Sequence, residues 1–156
     1  MAGCARLLNA MYQKILVALD HSSADEALLT HVCELATLMK SELLLVHVAD
    51  GWVARNFDQL NLAESEEMRE DWERLEETAA RLRTQTGLTT DTRLALGSPP
   101  EQILKVAEAD GVDLIAMASH GHRLVGDIIL GSTIEAVRHR AHVPIVVVPV
   151  KRGRVG

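Results

Sequence analysis

The 156-residue sequence is poor in aromatic residues, in cysteine and in long apolar runs. Aromatic residues make up only 3%, so aliphatic side chains must fill the core, which is typical of a parallel sheet covered by helices. The two cysteines, Cys4 and Cys33, show no motif spacing. This argues against a disulfide framework or a zinc site, and it indicates a cytoplasmic, reducing compartment. No apolar run approaches the length of a membrane span, so no membrane partner is expected.

Positive charge is also scarce. The 16 Lys and Arg residues stand against 22 Asp and Glu residues, and the net charge of -6 argues against a nucleic-acid partner. A composition of 47% hydrophobic and 24% charged residues over this length is typical of one globular domain. We expect residues 1–10 to form a disordered N-terminal extension, residues 11–150 a single domain and residues 151–156 a solvated tail.

Short apolar runs alternate with segments of helical periodicity along the chain. The apolar runs cover residues 15–19, 42–48, 88–96, 112–118 and 145–150. This alternation predicts a Rossmann-like fold, a three-layer α/β/α arrangement around an open, mostly parallel five-stranded sheet. Ligands in such folds bind beyond the carboxyl ends of the strands, where the strand order reverses.

Helix starts are indicated by three Ser–Glu pairs at the spacing of a capping box: Ser23 with Glu26, Ser98 with Glu101, and Ser132 with Glu135. The longest helix is indicated by an apolar stripe at intervals of four and three. Its members are Met68, Trp72, Leu75, Ala79 and Leu82. Gly87 follows as a natural helix end.

The stretch from Leu114 to Thr133 carries the strongest functional signal. An apolar strand stops at Ser119, a glycine-containing loop follows, and a helical pattern begins after Gly131. Backbone N–H groups and the helix dipole make such a helix start a site for anions. The segment lacks the Lys of a phosphate P-loop, which excludes that motif. Asp20 ends the first strand, and two roles stay open for it: contact with a ribose hydroxyl or metal ion, or a turn that caps the first helix.

The histidines do not predict a metal site. His120 and His122 are two apart in the loop but lack a third ligand, so we interpret them as polar loop residues, with His120 near a phosphate. His47 lies inside the second strand and is expected to be a hydrogen-bonded core or interface residue. No serine stands in the Gly-x-Ser-x-Gly setting of a hydrolase nucleophile.

These features together resemble the universal stress proteins of the UspA type, over residues from about 11 to 150. The matching segments are 15–22, 45–48, 97–101, 112–115, 119–121, 131–132 and 144–148. The nucleotide-binding branch of that family carries Gly, two residues, Gly, nine residues, Gly, then Ser or Thr. Gly121, Gly131 and Ser132 occupy the last three positions, whereas Ala118 stands in place of the first glycine. Ala18 stands where binders often have proline.

The resemblance implies an adenine nucleotide alpha hydrolase-like fold and bound ATP or AMP, with Mg²⁺ or Mn²⁺ able to bridge the phosphates. Adenine would lie against Val48 and residues 18–20, the ribose near Asp20 and residues 117–118, and the phosphates against the glycine loop and the last helix. The implied nucleotide-binding residues are Ala18, Leu19, Asp20, Val48, Met117, Ala118, His120, Gly121, His122, Arg123, Gly131, Ser132 and Thr133.

The resemblance also implies a role in stress response as a homodimer paired through residues 145–148. We do not expect an efficient enzyme, since no base, nucleophile or phosphate-clamping Lys is evident. Two alternatives remain at this point: a stress scaffold that binds no nucleotide, and a weak ATPase or autophosphorylating protein with Ser132 or Thr133 as acceptor. A further open class is an enzyme of the broader nucleotide-binding fold, such as an adenylating ligase or nucleotidyltransferase, although the loop after the first strand lacks their glycine-rich or His-x-Gly-His signatures.

Overall fold

The computed structural model describes residues 11–50, 62–119 and 131–150. Strands and helices alternate through these ranges. They are β1 (Lys14–Leu19), α1 (Ala24–Met39), β2 (Glu42–Asp50), α2 (Leu62–Thr86), β3 (Thr90–Gly97), α3 (Pro99–Ala109), β4 (Leu114–Ser119), α4 (Ser132–Arg140) and β5 (Ile145–Pro149). The predicted extension at residues 1–10 and the tail at 151–156 lie outside the described residues.

The five strands form one sheet in the order β3-β2-β1-β4-β5, and every neighbouring pair is parallel. This confirms the predicted α/β fold. From β1 the chain first builds the sheet outward through β2 and β3, then returns to the other side of β1 with β4 and β5. The strand order therefore reverses between β1 and β4, where a crevice opens at the carboxyl ends of the strands.

The junction of β1 and β4 is fixed by a side chain as well as by the backbone. Ile15 lies opposite Leu114 in the register of the two strands. Just before β4, the Asp113 carboxylate accepts hydrogen bonds from the backbone N–H groups of Gln13, at 2.7 Å, and Lys14, at 3.0 Å. These bonds join the start of the chain's first strand to the start of its fourth.

Helices cover both faces of the sheet, because consecutive strand residues point to opposite sides. Ile15 and Val17 pack with α1 and α2, whereas Leu16 packs with α3 and α4, and all three side chains are fully buried. Full burial of such an aliphatic side chain contributes about 1.5–3 kcal/mol. Two aliphatic layers thus explain why the strands read as continuous apolar runs. No helix within the described ranges has the length and apolarity needed to cross a bilayer.

Two of the three helix starts are placed correctly by the sequence and the third begins one residue earlier than predicted, but the capping boxes are wrong. Neither Ser23 nor Ser98 makes a side-chain cap hydrogen bond, and Ser132 lies inside the helix, with Gly131 as the N-cap. Two of the glutamates are engaged by cations instead. Glu26 pairs with Arg81 at 2.6 Å, and Glu135 pairs with Arg138 at 2.9 Å. These charge-assisted contacts compete for the carboxylate that a capping box requires.

The predicted stripe on α2 is confirmed in its second half. Leu75, Ala79 and Leu82 are buried, and Gly87 follows the helix with a left-handed φ of +71°. Trp72 was expected on the same stripe, but 42% of its surface is exposed. In that part of the helix, the neighbouring Asp71 is the residue that approaches the sheet.

Candidate functional site

A cavity of about 270 Å³ lies at the carboxyl end of the sheet, at the reversal of strand order. The residues that line it come from β1, the start of α1, β2, the start of α3, β4 and the start of α4. They are Ala18, Leu19, Asp20, Asp25, Val46, Val48, Pro99, Ile103, Met117, Ala118, Gly131, Ser132, Thr133 and Ile134. The site thus combines residues from elements that are distant in sequence and that only the packed fold brings together.

Nine of the thirteen residues predicted for nucleotide binding line this cavity. They are Ala18, Leu19, Asp20, Val48, Met117, Ala118, Gly131, Ser132 and Thr133. The other four, His120, Gly121, His122 and Arg123, lie outside the described residues. Whether these positions contact a nucleotide stays a prediction, but the segments that carry the sequence motif do meet in one place.

Sequence reasoning missed five lining residues: Asp25, Val46, Pro99, Ile103 and Ile134. For Val46 a signal was available, because residues two apart in a strand face the same side and Val48 had been predicted. Pro99 and Ile103 are four apart at the start of α3, so they share one face of that helix. For Asp25 no comparable pattern existed, because its position depends on the path of the preceding loop.

Aliphatic side chains form one wall of the cavity. Val46, Ile103, Met117 and Ile134 are at least nine-tenths buried, and they belong to the core between the sheet and the pair of helices α3 and α4. Val48 packs at the edge of the same core. Small-molecule sites are commonly apolar walls with a few polar groups that fix orientation. This wall can receive a flat, apolar ring face.

The start of α4 supplies backbone hydrogen-bond donors to the cavity. The first N–H to bond within the helix is that of Glu135, which donates to the carbonyl of Gly131 at 3.1 Å. Ser132, Thr133 and Ile134 precede it, so their N–H groups have no carbonyl acceptor within the helix. The helix dipole places partial positive charge at the same point. The arrangement can hold an anionic group without a lysine.

Gly131 is not required by the backbone of this helix start. Its φ of -53° is open to any L-residue, and a Cβ built there would meet no atom of the described residues within 4 Å. Ala118 is likewise absent from the non-glycine residues with positive φ, which among the described ranges are Tyr12, His21 and Lys40. The alanine that replaces the motif glycine is therefore accommodated without backbone strain.

Carboxylates hold the β1–α1 loop beside the cavity. The Asp25 carboxylate accepts hydrogen bonds from the N–H groups of Asp20, at 3.2 Å, and His21, at 2.9 Å. Asp20 in turn accepts a bond from the N–H of Ser22 at 3.0 Å, and the Ser22 hydroxyl accepts one from Ala24 at 3.2 Å. The turn-forming role considered for Asp20 is present, and the same residue also lines the cavity.

Burial raises the pKa of Asp25 from its ordinary value of 3.8 to about 6. The negative charge of Asp20 acts in the same direction, while the N–H groups of Asp20 and His21 favour the ionised form and oppose the rise. The proton is therefore bound more tightly in the folded protein than in the unfolded chain. Near neutral pH the cavity carries an ionised but easily protonated carboxylate.

This shift predicts a pH-dependent stability. Because the pKa of Asp25 is higher in the folded protein than in the unfolded chain, the protonated carboxyl group stabilises the fold. This stabilisation is complete below pH 4 and is lost as the pH rises through about 6. We expect Asp25→Asn to remove this component, so that the difference in free energy of unfolding between variant and parent changes between pH 4 and 7. Urea unfolding across that range measures it. Glu34→Gln, an exposed position on the same helix, is the control and should give a constant difference.

His47 is buried as predicted, with 8% of its surface exposed and its Nδ1 2.9 Å from the carbonyl oxygen of Leu19. It lies on the opposite face of the sheet from Val46 and Val48, because strand residues alternate in direction. His47 therefore belongs to the layer of α1 and α2 and does not line the cavity.

Comparison with known proteins gives consistent matches over the whole domain. The model of the universal stress protein family matches residues 11–149. Universal stress protein MJ0577 of Methanocaldococcus jannaschii is 31% identical over 157 residues, which cover 90% of this chain and 97% of that protein. The solved structure of MJ0577 matches with a TM-score of 0.79 at 33% identity, covering 92% of this chain and 100% of the other.

Two further structures share the fold at lower identity. A universal stress protein of Archaeoglobus fulgidus in complex with dAMP matches with a TM-score of 0.65 and 23% identity, covering 90% of this chain and 99% of the other. A universal stress protein in complex with cAMP matches with a TM-score of 0.67 and 17% identity, covering 90% and 98%. At these identities the likeness establishes the common architecture.

Proposed function

Because the chain belongs to the universal stress protein family, we propose that it binds an adenine nucleotide, ATP or AMP, in the cavity and acts in stress response. One observation carries the proposal: a single cavity joins an aliphatic wall, two carboxylates and the N-terminus of a helix. These are the three surfaces that a base, a ribose and a phosphate need. The fold is known to hold adenylates, as the relatives with dAMP and cAMP illustrate.

We infer the orientation of the bound nucleotide from the positions of the polar groups. Asp20 and Asp25 approach the cavity from β1 and α1, whereas Ser132 and Thr133 approach it from α4, on the other face of the sheet. Carboxylates accept hydrogen bonds from ribose hydroxyls and repel phosphates, while the free N–H groups of α4 attract phosphates. We therefore place the ribose beside Asp20 and the phosphates at α4, with adenine against Val46, Val48 and Met117.

Charge balance favours a divalent ion in the bound state. Among the residues that the structure describes along the cavity, none is Lys or Arg. The helix dipole supplies only about half a positive charge, whereas the phosphates of ATP carry several negative charges. Mg²⁺ or Mn²⁺ held mainly by phosphate oxygens and water would offset the remainder. This part of the proposal favours ATP with a metal ion over ATP alone.

We propose a binding protein and not an efficient catalyst. The carboxylates on the described cavity wall lie on the α1 side, and none of the α4 residues described along the cavity, Ser132, Thr133 and Ile134, is a base. The proposal includes a cytoplasmic location, which rests on cysteine usage, and a homodimer, which rests on the apolar edge strand β5. Occupation of the cavity would then be the signal that the dimer presents to other components of the stress response.

Calorimetric titration tests the proposal. We expect ATP with Mg²⁺ and AMP to bind saturably at one site per chain. Adenosine should bind at least about tenfold more weakly, because it lacks the phosphate that meets α4, and tenfold corresponds to about 1.4 kcal/mol. Mass spectrometry of molecules that co-purify with the protein is an independent readout. Absence of binding at millimolar nucleotide would refute the proposal in favour of a scaffold.

A further inference from the structure

Three side chains meet on the α1–α2 face of the sheet, behind the strand that carries Val46 and Val48. They are His21 in the β1–α1 loop, His47 in β2 and Asp71 in α2, which we call the histidine cluster. One ligand atom from each residue lies within 4.8 Å of those of the other two. His21 and Asp71 are partly buried and His47 is buried, so the cluster is shielded from bulk water.

The hydrogen bond of His47 sets which of its nitrogens is free. A carbonyl oxygen only accepts, so the Nδ1 atom 2.9 Å from the Leu19 carbonyl carries the hydrogen. The Nε2 atom of the neutral ring then carries a lone pair and lies 3.6 Å from the Asp71 carboxylate. A carbonyl that holds the second ring nitrogen in this way is the usual support of a metal-binding histidine.

His21 has an unsatisfied nitrogen in the same place. Its Nε2 is buried without a hydrogen-bond partner among the residues that the structure describes, and it lies 3.7 Å from Asp71, which is too long for a hydrogen bond. Its ring is 3.9 Å from that of His47, centroid to centroid. The backbone at His21 is left-handed, with φ of +61°, a conformation that costs free energy in a non-glycine residue.

The separations in the cluster fit a shared cation better than direct contact. A zinc ion bonds nitrogen and oxygen at about 2.0–2.1 Å, so two tetrahedral ligand atoms are roughly 3.4 Å apart. The two His–Asp separations are close to that value: 3.7 Å from His21 Nε2 to Asp71 Oδ1, and 3.6 Å from His47 Nε2 to Asp71 Oδ2. We propose that His21, His47 and Asp71 bind one divalent transition-metal ion, Zn²⁺ in the first place, with water as the fourth ligand.

The donor set defines the class of metal. Two imidazoles and one carboxylate suit Zn²⁺ and its neighbours in the first transition row, whereas Mg²⁺ and Ca²⁺ prefer oxygen ligands. The sequence had predicted no metal site, because it offered only His120 and His122 as a close pair. The new site needs no residue from that loop. It is also separate from the metal ion proposed for the nucleotide phosphates.

The bound ion would join three elements that are distant in sequence. His21 belongs to the loop after β1, His47 to β2 and Asp71 to α2. A ligand that binds only the folded chain raises its stability according to its concentration and affinity. The ion would therefore stabilise the α1–α2 layer.

Zinc titration of metal-stripped full-length protein, without nucleotide, tests this site. We expect one equivalent of Zn²⁺ to bind, to raise the Tm, and to be replaced by Co²⁺ with the visible spectrum of a tetrahedral complex. His21→Asn, a residue that tolerates the left-handed backbone, and Asp71→Asn should each weaken Zn²⁺ binding at least about tenfold. Mg²⁺ should give no shift in Tm.

His139→Asn is the matched control. His139 and Glu135 form an exposed His–carboxylate pair at 3.5 Å, a similar distance, but no third ligand lies with them in the described part of the chain. This variant should bind Zn²⁺ as the parent does. Absence of stoichiometric binding by the parent, or binding that survives both His21→Asn and Asp71→Asn, would overturn the site. Because no nucleotide is present, the outcome is independent of the function proposed for the cavity.

Discussion

Replacement of Ser132 by Asp is expected to lower the affinity for ATP by at least about tenfold, or 1.4 kcal/mol, without loss of fold stability. Ser132 is exposed in the first turn of α4, beside the N–H groups proposed to hold the phosphates. A carboxylate there interacts favourably with the helix dipole by about 0.3–1 kcal/mol. The same carboxylate would repel a nearby phosphate, since two like charges 4 Å apart cost about 4 kcal/mol at a surface-like dielectric of 20.

Opposite effects on stability and affinity make this variant informative. A general disruption of the fold would lower both quantities, whereas occupation of the anion site by the new carboxylate lowers only affinity. Ser132→Asn, which is similar in size and uncharged, is the control and should retain most of the affinity. The two variants would be compared by calorimetric titration with ATP and by urea unfolding. Equal affinity of the Asp and Asn variants would show that the phosphates bind elsewhere.

A lysine in place of Val147 is expected to convert the proposed dimer to monomer. β5 is an edge strand, and in the isolated chain its residues Ile145, Val146 and Val147 are only partly buried. An apolar edge of this kind is normally paired or covered. A charge placed between two such strands would have to be desolvated on pairing, which is costly. Sedimentation velocity at several concentrations would measure the change.

The control for this variant must separate assembly from folding, because Val147 also packs against the core formed with α3 and α4. Val147→Thr keeps the branched shape and the strand preference and adds no charge, so it should remain a dimer. The lysine variant should keep a cooperative unfolding transition. A parent protein that sediments as a monomer, or a lysine variant that still sediments as a dimer, would exclude β5 as the interface.

The fold was predictable because the aliphatic runs, the helical periodicity and the residues at the helix ends all favour the same structure. Aliphatic runs of five to nine residues separated by helical periodicity require a parallel sheet covered on both faces, and the structure has that sheet. The helix ends followed from Gly87 and Pro99, whose backbone preferences are strong. Two of the predicted capping glutamates, Glu26 and Glu135, have arginine partners instead, and the partner of Glu26 comes from α2, which a local motif does not reveal.

The candidate site was predictable where it is made of backbone and strand ends. Gly131, Ser132 and the end of β1 follow from the rule that parallel strands present their carboxyl ends at one edge. The histidine cluster was not predictable in the same way. His21 and His47 could be paired through the register of β1 and β2, in which Leu19 lies opposite His47. Asp71 comes from α2, and the rotation of a helix over a sheet depends on packing across the entire layer.

The hydrogen bonds of Asp113 have a consequence for the order in which the protein folds during synthesis. They join β1 to the start of β4 across 100 positions of sequence. The central strand β1 therefore pairs with a strand that is synthesised much later. The β1–β2–β3 half can assemble first, since its contacts are closer in sequence. Until β4 leaves the ribosome, one edge of β1 stays unpaired and apolar, which is a hazard for aggregation. The nascent chain should therefore depend most on chaperones after β3 has been made and before β4 has emerged.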